Sequence, residues 1–200
     1  MRRQTGLRKF GHAGTLDPAA TGLMIILVGA ATKQATRLLG LDKIYVAELT
    51  LGALSTTGDR EGEITPQSNR QPTQAEVEAA LKRYTGRITQ TPPAHSAIKV
   101  GGQRAYQLAR AGKPVDMPSR QVTVHALKLL DYAYPIVRLE AHVSSGTYIR
   151  TLAEGIGAVL GVGAYLSALR RTQIGDYTIS AAAQLQDIDA ASIRAVLRPH

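Results

Sequence analysis

One carboxylate stands out by its surroundings. The stretch Gly11-His12-Ala13-Gly14-Thr15-Leu16-Asp17-Pro18-Ala19-Ala20-Thr21-Gly22-Leu23 packs glycines, a proline, a histidine and two threonines around Asp17, directly before the apolar run Met24 to Val28. Glycine opens backbone angles closed to other residues, and Pro18 biases Asp17 away from helical geometry. Such a loop holds a carboxylate in one orientation at a strand end. A carboxylate held so can attack an electrophilic carbon or stabilise positive charge on it. Taken alone, the stretch also reads as a chain reversal.

Two further blocks carry polar chemistry. Gly146-Thr147-Tyr148-Ile149-Arg150-Thr151-Leu152 opens an apolar helical pattern, with Leu169-Arg170-Arg171-Thr172 downstream. Arg150 follows the inward Ile149, so it projects beside the core near the first turn, where it can reach a carboxylate or simply lie on the surface. The stretch from Gln90 to Arg120 is opened by Pro92-Pro93, closed by Pro114 and Pro118, and carries Lys99, Arg104, Arg110, Lys113 and Arg120. By itself it reads equally as a solvated charged loop.

Other chemistries fit less well. The chain has no cysteine, which excludes disulfides, zinc-cysteine sites, iron-sulfur clusters and thiol nucleophiles. Asp59, Glu61 and Glu63 could supply a glycosidase pair, but their polar stretch reads as a solvated turn. Gly29-Ala30-Ala31-Thr32-Lys33 lacks the spacing of a phosphate-binding P-loop, and His95, His125 and His142 show no metal-ligand spacing, so no metal or cofactor is expected. A formal charge of +9 favours a phosphate-bearing partner without separating nucleic acid from an acidic membrane. Leu23 to Ala31, the longest apolar stretch, is far short of the roughly 20 residues of a membrane span, and no signal-peptide pattern follows the basic start, so the chain reads as cytoplasmic.

The elements that must position these groups follow from periodicity. Met1 to Phe10 is a basic arm or a frayed end. Leu23 to Val28 and Lys43 to Leu51 read as strands, and Thr32 to Leu41 as a helix. Ser55 to Asn69 reads as a loop. Thr73 and Glu76 have capping-box spacing ahead of a helical stripe at Val77, Ala80, Leu81 and Tyr84. A short helix is expected over Arg104 to Ala111, then two or three strands over Val122 to Val143 around Tyr134-Pro135. Thr147 to Leu160 is helical, Leu166 to Thr178 a last strand, and Ala181 to Arg198 weakly helical. Without regular strand-helix alternation, this favours an α+β domain with a mixed, largely antiparallel sheet flanked by helices. No repeat or linker marks a second domain.

Taken together, the Asp17 stretch, the Gly146–Leu152 and Leu169–Thr172 blocks, Pro92 to Arg110, Ala31-Thr32-Lys33 and Lys43-Ile44-Tyr45 resemble the TruB-type pseudouridine synthases over most of residues 8 to 180. The resemblance implies isomerisation of a tRNA T-loop uridine (uridine 55) by base flipping, glycosidic cleavage and rejoining through C5. Asp17 matches the catalytic carboxylate, Arg150 the arginine that pairs with it, and Tyr45 the residue that stacks on the extruded base, its hydroxyl a candidate for the C5 proton transfer. His12 matches the residue entering the T-loop stack. Tyr148 would line the uracil pocket, Leu169 would contact substrate, and Lys33, Lys99, Arg104 and Arg110 would contact RNA. The implied partner is the T-arm stem-loop of tRNA, with no membrane, no obligate protein partner and a monomeric chain. An inactive relative acting as a tRNA-folding chaperone is the alternative.

The match has departures. Family members carry an upstream Lys-Pro-x-Gly strand, which the chain starts too late to include, and many carry a C-terminal PUA domain, for which His200 leaves no room. The expectation is therefore one catalytic domain over residues 1–200, with an RNA-gripping insert at about 87–120. Gly155 stands where an acidic residue is common, which puts a helix contact there in doubt.

Overall fold

Strand Lys43–Leu51 shows how the sheet is specified. Its odd positions from Ala47 to Leu51 are buried and its even ones only partly so, the period-2 pattern of a strand with one face on a core. The computed structural model describes residues 6, 8–96, 98–112, 114–189 and 191–197. In chain order the elements are β1 (Phe10–His12), β2 (Thr21–Gly22), β3 (Ile26–Val28), a 3-10 turn (Gly29–Gln34) running into α1 (Ala35–Leu39), β4 (Lys43–Leu51), β5 (Ala53–Ser55), β6 (Ile64–Pro66) and α2 (Gln74–Arg83). Then follow β7 (Gly86–Gln90), β8 (Lys99–Val100), β9 (Gln103–Arg104), α3 (Ala105–Arg110), β10 (Arg120–Ala133), β11 (Ile136–Val143), α4 (Ile149–Val159), β12 (Ala164–Ile174), β13 (Tyr177–Thr178) and α5 (Ile193–Val196).

The main sheet runs β13-β12-β4-β11-β10-β7, all antiparallel, with β2 added in parallel beside β12. This is the mixed, largely antiparallel α+β sheet expected from the sequence. Leu49 and Leu51 of β4, Val137, Leu139 and Ala141 of β11 and Ala164 and Leu166 of β12 form a core with Val77 and Leu81 of α2 and Ile149, Leu152 and Ile156 of α4. Burying an aliphatic side chain of this size contributes roughly 1.5–3 kcal/mol. Three such anchors fix α4 on the sheet, and with it Arg150. The α2 capping box forms as its spacing predicts, Thr73 accepting from the Glu76 N–H and Glu76 from the Thr73 N–H.

A smaller core of Ala13, Leu27 and Leu38 sits under the Asp17 loop. Lys43 joins it to the sheet: its buried ammonium donates to the carbonyls of Leu39 (2.6 Å) and Leu41 (2.5 Å). Desolvation by burial, and then the charge of Arg171, hold the Lys43 pKa below its ordinary value.

Two sequence expectations change here. Only Ile26–Val28 of the apolar run is a strand, paired with β1 outside the main sheet, because the Leu23 backbone turns to β12 instead, its N–H donating to the Arg171 carbonyl at 2.8 Å. The polar stretch after Ser55 is not all loop. Ile64–Pro66 pairs with Ala53–Ser55 as a hairpin, and the loop between them buries Gly58 and Asp59.

Candidate active site

Asp17 lies between β1 and β2, where its carbonyl accepts from the Ala20 N–H at 2.9 Å and closes the turn through Pro18. Its carboxylate meets Arg150 of α4. Arg150 Nη2 donates to Oδ1 at 3.1 Å, and Nε lies 3.0 Å from Oδ2. The Nε–H is not aligned on that oxygen, so the contact combines one hydrogen bond with an ion pair rather than a symmetric fork. The Arg150 side chain is 4% exposed and that of Asp17 37%. The arginine is thus no surface residue, and it meets the carboxylate from the protein side while the other side stays open.

Arginine stays charged in a protein, and a buried charge must be compensated. Nη1 donates to the Thr57 carbonyl (3.1 Å), Nη2 also to the His95 carbonyl (3.0 Å), and Nη1 lies 3.4 Å from Asp59 Oδ2. Asp59 is itself buried, its Oδ1 accepting from Thr57 Oγ1 at 2.6 Å and from the Glu61 N–H at 3.0 Å. The reading of Asp59 as a solvated turn acid is therefore corrected: the hairpin carries it inward, and Gly58 O accepts from the Leu166 N–H at 3.0 Å to hold the loop on β12. One turn along α4, Glu154 is pushed above the usual carboxylate range by burial, against the pull of Arg150.

A second arginine braces the loop. Arg171 is 1% exposed; its Nε donates to the Leu23 carbonyl at 2.8 Å and its Nη2 to the Gly14 carbonyl at 3.1 Å. The loop is therefore held on both sides of Asp17. Close approach is possible because position 22 is glycine: φ is +108° and a Cβ would stand 2.2 Å from the Arg171 carbonyl oxygen. Tyr45 lies opposite Arg171 in the β4–β12 register. Burial pushes its phenol above the ordinary tyrosine value; the Arg171 guanidinium opposes the shift and Asp17 adds to it. Its hydroxyl is therefore neutral at physiological pH and lies within the field of both groups.

A cleft beside Asp17 is walled by Ala19, Ala20, Leu166 and Leu169, with Asp59 at its edge. Tyr148 caps the start of α4. Buried Gln90 fixes its backbone from both sides, accepting from the Tyr148 N–H at 3.0 Å and donating to its carbonyl at 3.2 Å. The Arg120 guanidinium stacks 5.0 Å from the Tyr148 ring centroid. His12 is exposed at the end of β1, Lys33 in the 3-10 turn, and Arg104 at the start of α3. The side chains of Lys99 and Arg110 lie outside the described residues, as do Met1 to Thr5, Leu7 and Lys113. Gly155 has a packing reason: the Tyr84 hydroxyl would lie 2.4 Å from a Cβ there.

Sequence reasoning quoted Arg171 without a role and set Asp59 aside. The charged pair Arg170-Arg171 directly after the largely apolar residues 166–169 of a strand pattern was a usable signal for Arg171, since a buried arginine needs partners. For Asp59 and the His95 carbonyl no local signal existed. Likewise, His125 and His142 have no motif spacing, yet the fold brings both beside Asp42.

A mixed sheet that presents one open carboxylate, gripped from behind by a buried arginine and flanked by an apolar cleft and a neutral tyrosine, defines a class of site suited to attack on, or charge stabilisation at, a single electrophilic carbon. The model for the N-terminal domain of the TruB family pseudouridylate synthases matches residues 2–149, and that for the C-terminal domain of tRNA pseudouridylate synthase B matches residues 150–199. The chain belongs to the TruB family of pseudouridylate synthases. It is 48% identical over 191 residues to the tRNA pseudouridine synthase B of Cupriavidus metallidurans, covering 94% of this chain and 61% of that one. To the protein of the same name from Burkholderia pseudomallei it is 46% identical, covering 96% and 63%. The chain thus spans about three fifths of the length of these curated relatives. Among solved structures, a Cbf5-Nop10-Gar1 complex contains a chain that matches with a TM-score of 0.70 and 28% identity, over 93% of this chain and 46% of that one. An H/ACA RNP bound to a substrate RNA containing 2′-deoxyuridine matches with a TM-score of 0.68 and 26% identity, over 93% and 45%.

Proposed function

We propose that the chain isomerises uridine to pseudouridine in the T-loop of tRNA, at uridine 55, with residues 1–200 acting as one catalytic domain. The ion pair between Asp17 and Arg150, 3.0 Å at its closest, carries the reading. The reaction breaks the bond from ribose C1′ to N1 of uracil, rotates the base and joins C1′ to C5, after which the C5 proton leaves and N1 takes up a proton; the change is an isomerisation with no net oxidation or reduction. Asp17 is the catalytic residue. It attacks covalently or stabilises positive charge at C1′, and the buried Arg150 pairs with it and aims it.

Tyr45 stacks on the flipped uracil, and Tyr148 and Leu169 line its pocket. A partly buried, neutral phenol can relay the C5 proton through its hydroxyl but is disfavoured as a phenolate base. His12 fills the space the base leaves in the T-loop. Lys33, Lys99, Arg104 and Arg110 contact RNA in the basic insert and at the 3-10 turn, which positions the stem-loop without reading its sequence. A tRNA substrate also implies a cytoplasmic location.

The site supports an enzyme over a tRNA-folding chaperone, because a chaperone has no use for an open carboxylate paired with one buried arginine on a loop braced by another. The test uses tRNA carrying uridine tritiated at C5. Release of tritium to water at a rate proportional to enzyme supports the proposal; tRNA binding with no release contradicts it.

A further inference from the structure

On the sheet face away from Tyr45, the fold assembles three metal-ligating side chains that the proposed chemistry does not use. His142 lies on β11 opposite Ile44, one register position from the Ala141–Tyr45 pair, and so projects to the other face. His125 is the extra residue of a bulge in β10 between Val124 and Ala126; bulges re-aim side chains. Asp42 immediately precedes β4, its carbonyl accepting from the Gly175 N–H at 2.9 Å. One ligand atom from each of Asp42, His125 and His142 lies within 4.8 Å of the others. His125 Nε2 is 3.0 Å from Asp42 Oδ2, and the two imidazole centroids are 4.6 Å apart.

We infer that Asp42, His125 and His142 form a three-ligand site for a divalent transition ion of the zinc class. Zinc is bound by imidazole nitrogen and carboxylate oxygen at about 2.0–2.1 Å, which sets tetrahedral ligand atoms about 3.3 Å apart. The His125–Asp42 separation of 3.0 Å is close to such an edge, and His142, whose ligand atom lies within 4.8 Å of the other two, closes onto it by side-chain movement. Water takes the fourth position. On binding, each imidazole coordinates through the lone pair of one ring nitrogen in its neutral form, any proton displaced leaving to solvent. Two imidazoles with a carboxylate favour zinc, cobalt or nickel over magnesium or calcium, which prefer oxygen ligands. Lys43, next to Asp42 in the chain, is held by the carbonyls of Leu39 and Leu41. The ion ties the start of β4 to β10 and β11, three neighbouring strands.

The metal-stripped chain is titrated with Co2+, read by visible absorption, and with Zn2+, read by calorimetry and melting temperature. The expected result is one ion per chain, tetrahedral cobalt bands that zinc displaces, and a melting temperature that rises with zinc. His125→Ala and His142→Ala should each weaken zinc by at least the about 10–100-fold that loss of a supporting ligand partner costs, and abolish the melting shift. Asp42→Asn, nearly isosteric, should weaken binding in the same sense and decides the case if either alanine variant does not fold. Binding as tight in all three variants as in the parent, or no binding by the parent, overturns the inference.

Discussion

Asp59→Asn separates two ways of holding Arg150. If the Thr57 and His95 carbonyls are enough, removing the Asp59 charge should change little. If the carboxylate matters, Asp17 loses its aim. At 3.4 Å and an effective dielectric of about 20, the gross attraction between Asp59 and the Arg150 guanidinium is about 5 kcal/mol. Asparagine can keep the bonds from Thr57 Oγ1 and the Glu61 N–H, so the loop stays docked and the net loss falls to the about 1.5–3 kcal/mol of one hydrogen bond to a charged group. Spent entirely on misplacing Asp17, that is about a 10–150-fold fall in the single-turnover rate. The assay is tritium release at saturating tRNA, with tRNA affinity measured separately and a melting curve to confirm folding. A wild-type rate in Asp59→Asn, alongside a dead Asp17→Asn, would refute the idea that a carboxylate behind Arg150 aims the one in front. Unchanged chemistry with weakened tRNA affinity would refute it equally.

Gly22→Ala puts a Cβ 2.2 Å from the Arg171 carbonyl oxygen at a φ of +108°; it should detach β2 from β12, lowering turnover far more than overall stability, and equal turnover would show that the loop is not held there. Removing the Tyr45 hydroxyl by Tyr45→Phe should lower the rate but not tRNA affinity, and burial of the phenol predicts that the parent rate does not climb between about pH 7 and 9. A log-linear climb over that range, lost in the phenylalanine variant, would identify a phenolate base instead. Glu154 has its pKa raised above 4.5 in the fold, so its charged form is disfavoured there: its contribution to stability is best at low pH and declines as pH rises from the unfolded value through the folded one. Glu154→Gln should therefore gain stability relative to the parent as pH rises through that window. A relative stability that is flat or falls with pH contradicts the burial argument.

Much of the arrangement was legible where residue type and period agree. The alternation of β4, the α2 capping box and the inward stripe of α4 lie in local sequence, and α4 alone placed Arg150 at a helix start beside the core. Asp59 was not legible, because its stretch is as polar as any solvated turn. The pairing of Ile64–Pro66 with Ala53–Ser55, and the bond from the Leu166 N–H to the Gly58 carbonyl across a long stretch of chain, turn it inward. The same holds for His125 and His142, which are 17 residues apart in the chain and meet through the β10–β11 hairpin and its bulge. The apolar run Leu23 to Val28 misled for the opposite reason. Its composition suits a strand throughout, but Arg171 and Gly22 claim its first residue for the loop.

In the proposed function, Asp17, aimed by Arg150, performs the isomerisation on a T-loop uridine. The direct measurement is position-resolved detection of pseudouridine in one tRNA after incubation with the parent chain and with Asp17→Asn, at concentrations where both are shown to bind. Asparagine keeps the shape and removes the charge and the nucleophile, so the expected result is one modified position, uridine 55, with the parent and none with the variant. Pseudouridine formed by Asp17→Asn at a comparable rate, or formed by the parent only outside the T-loop, would contradict the account.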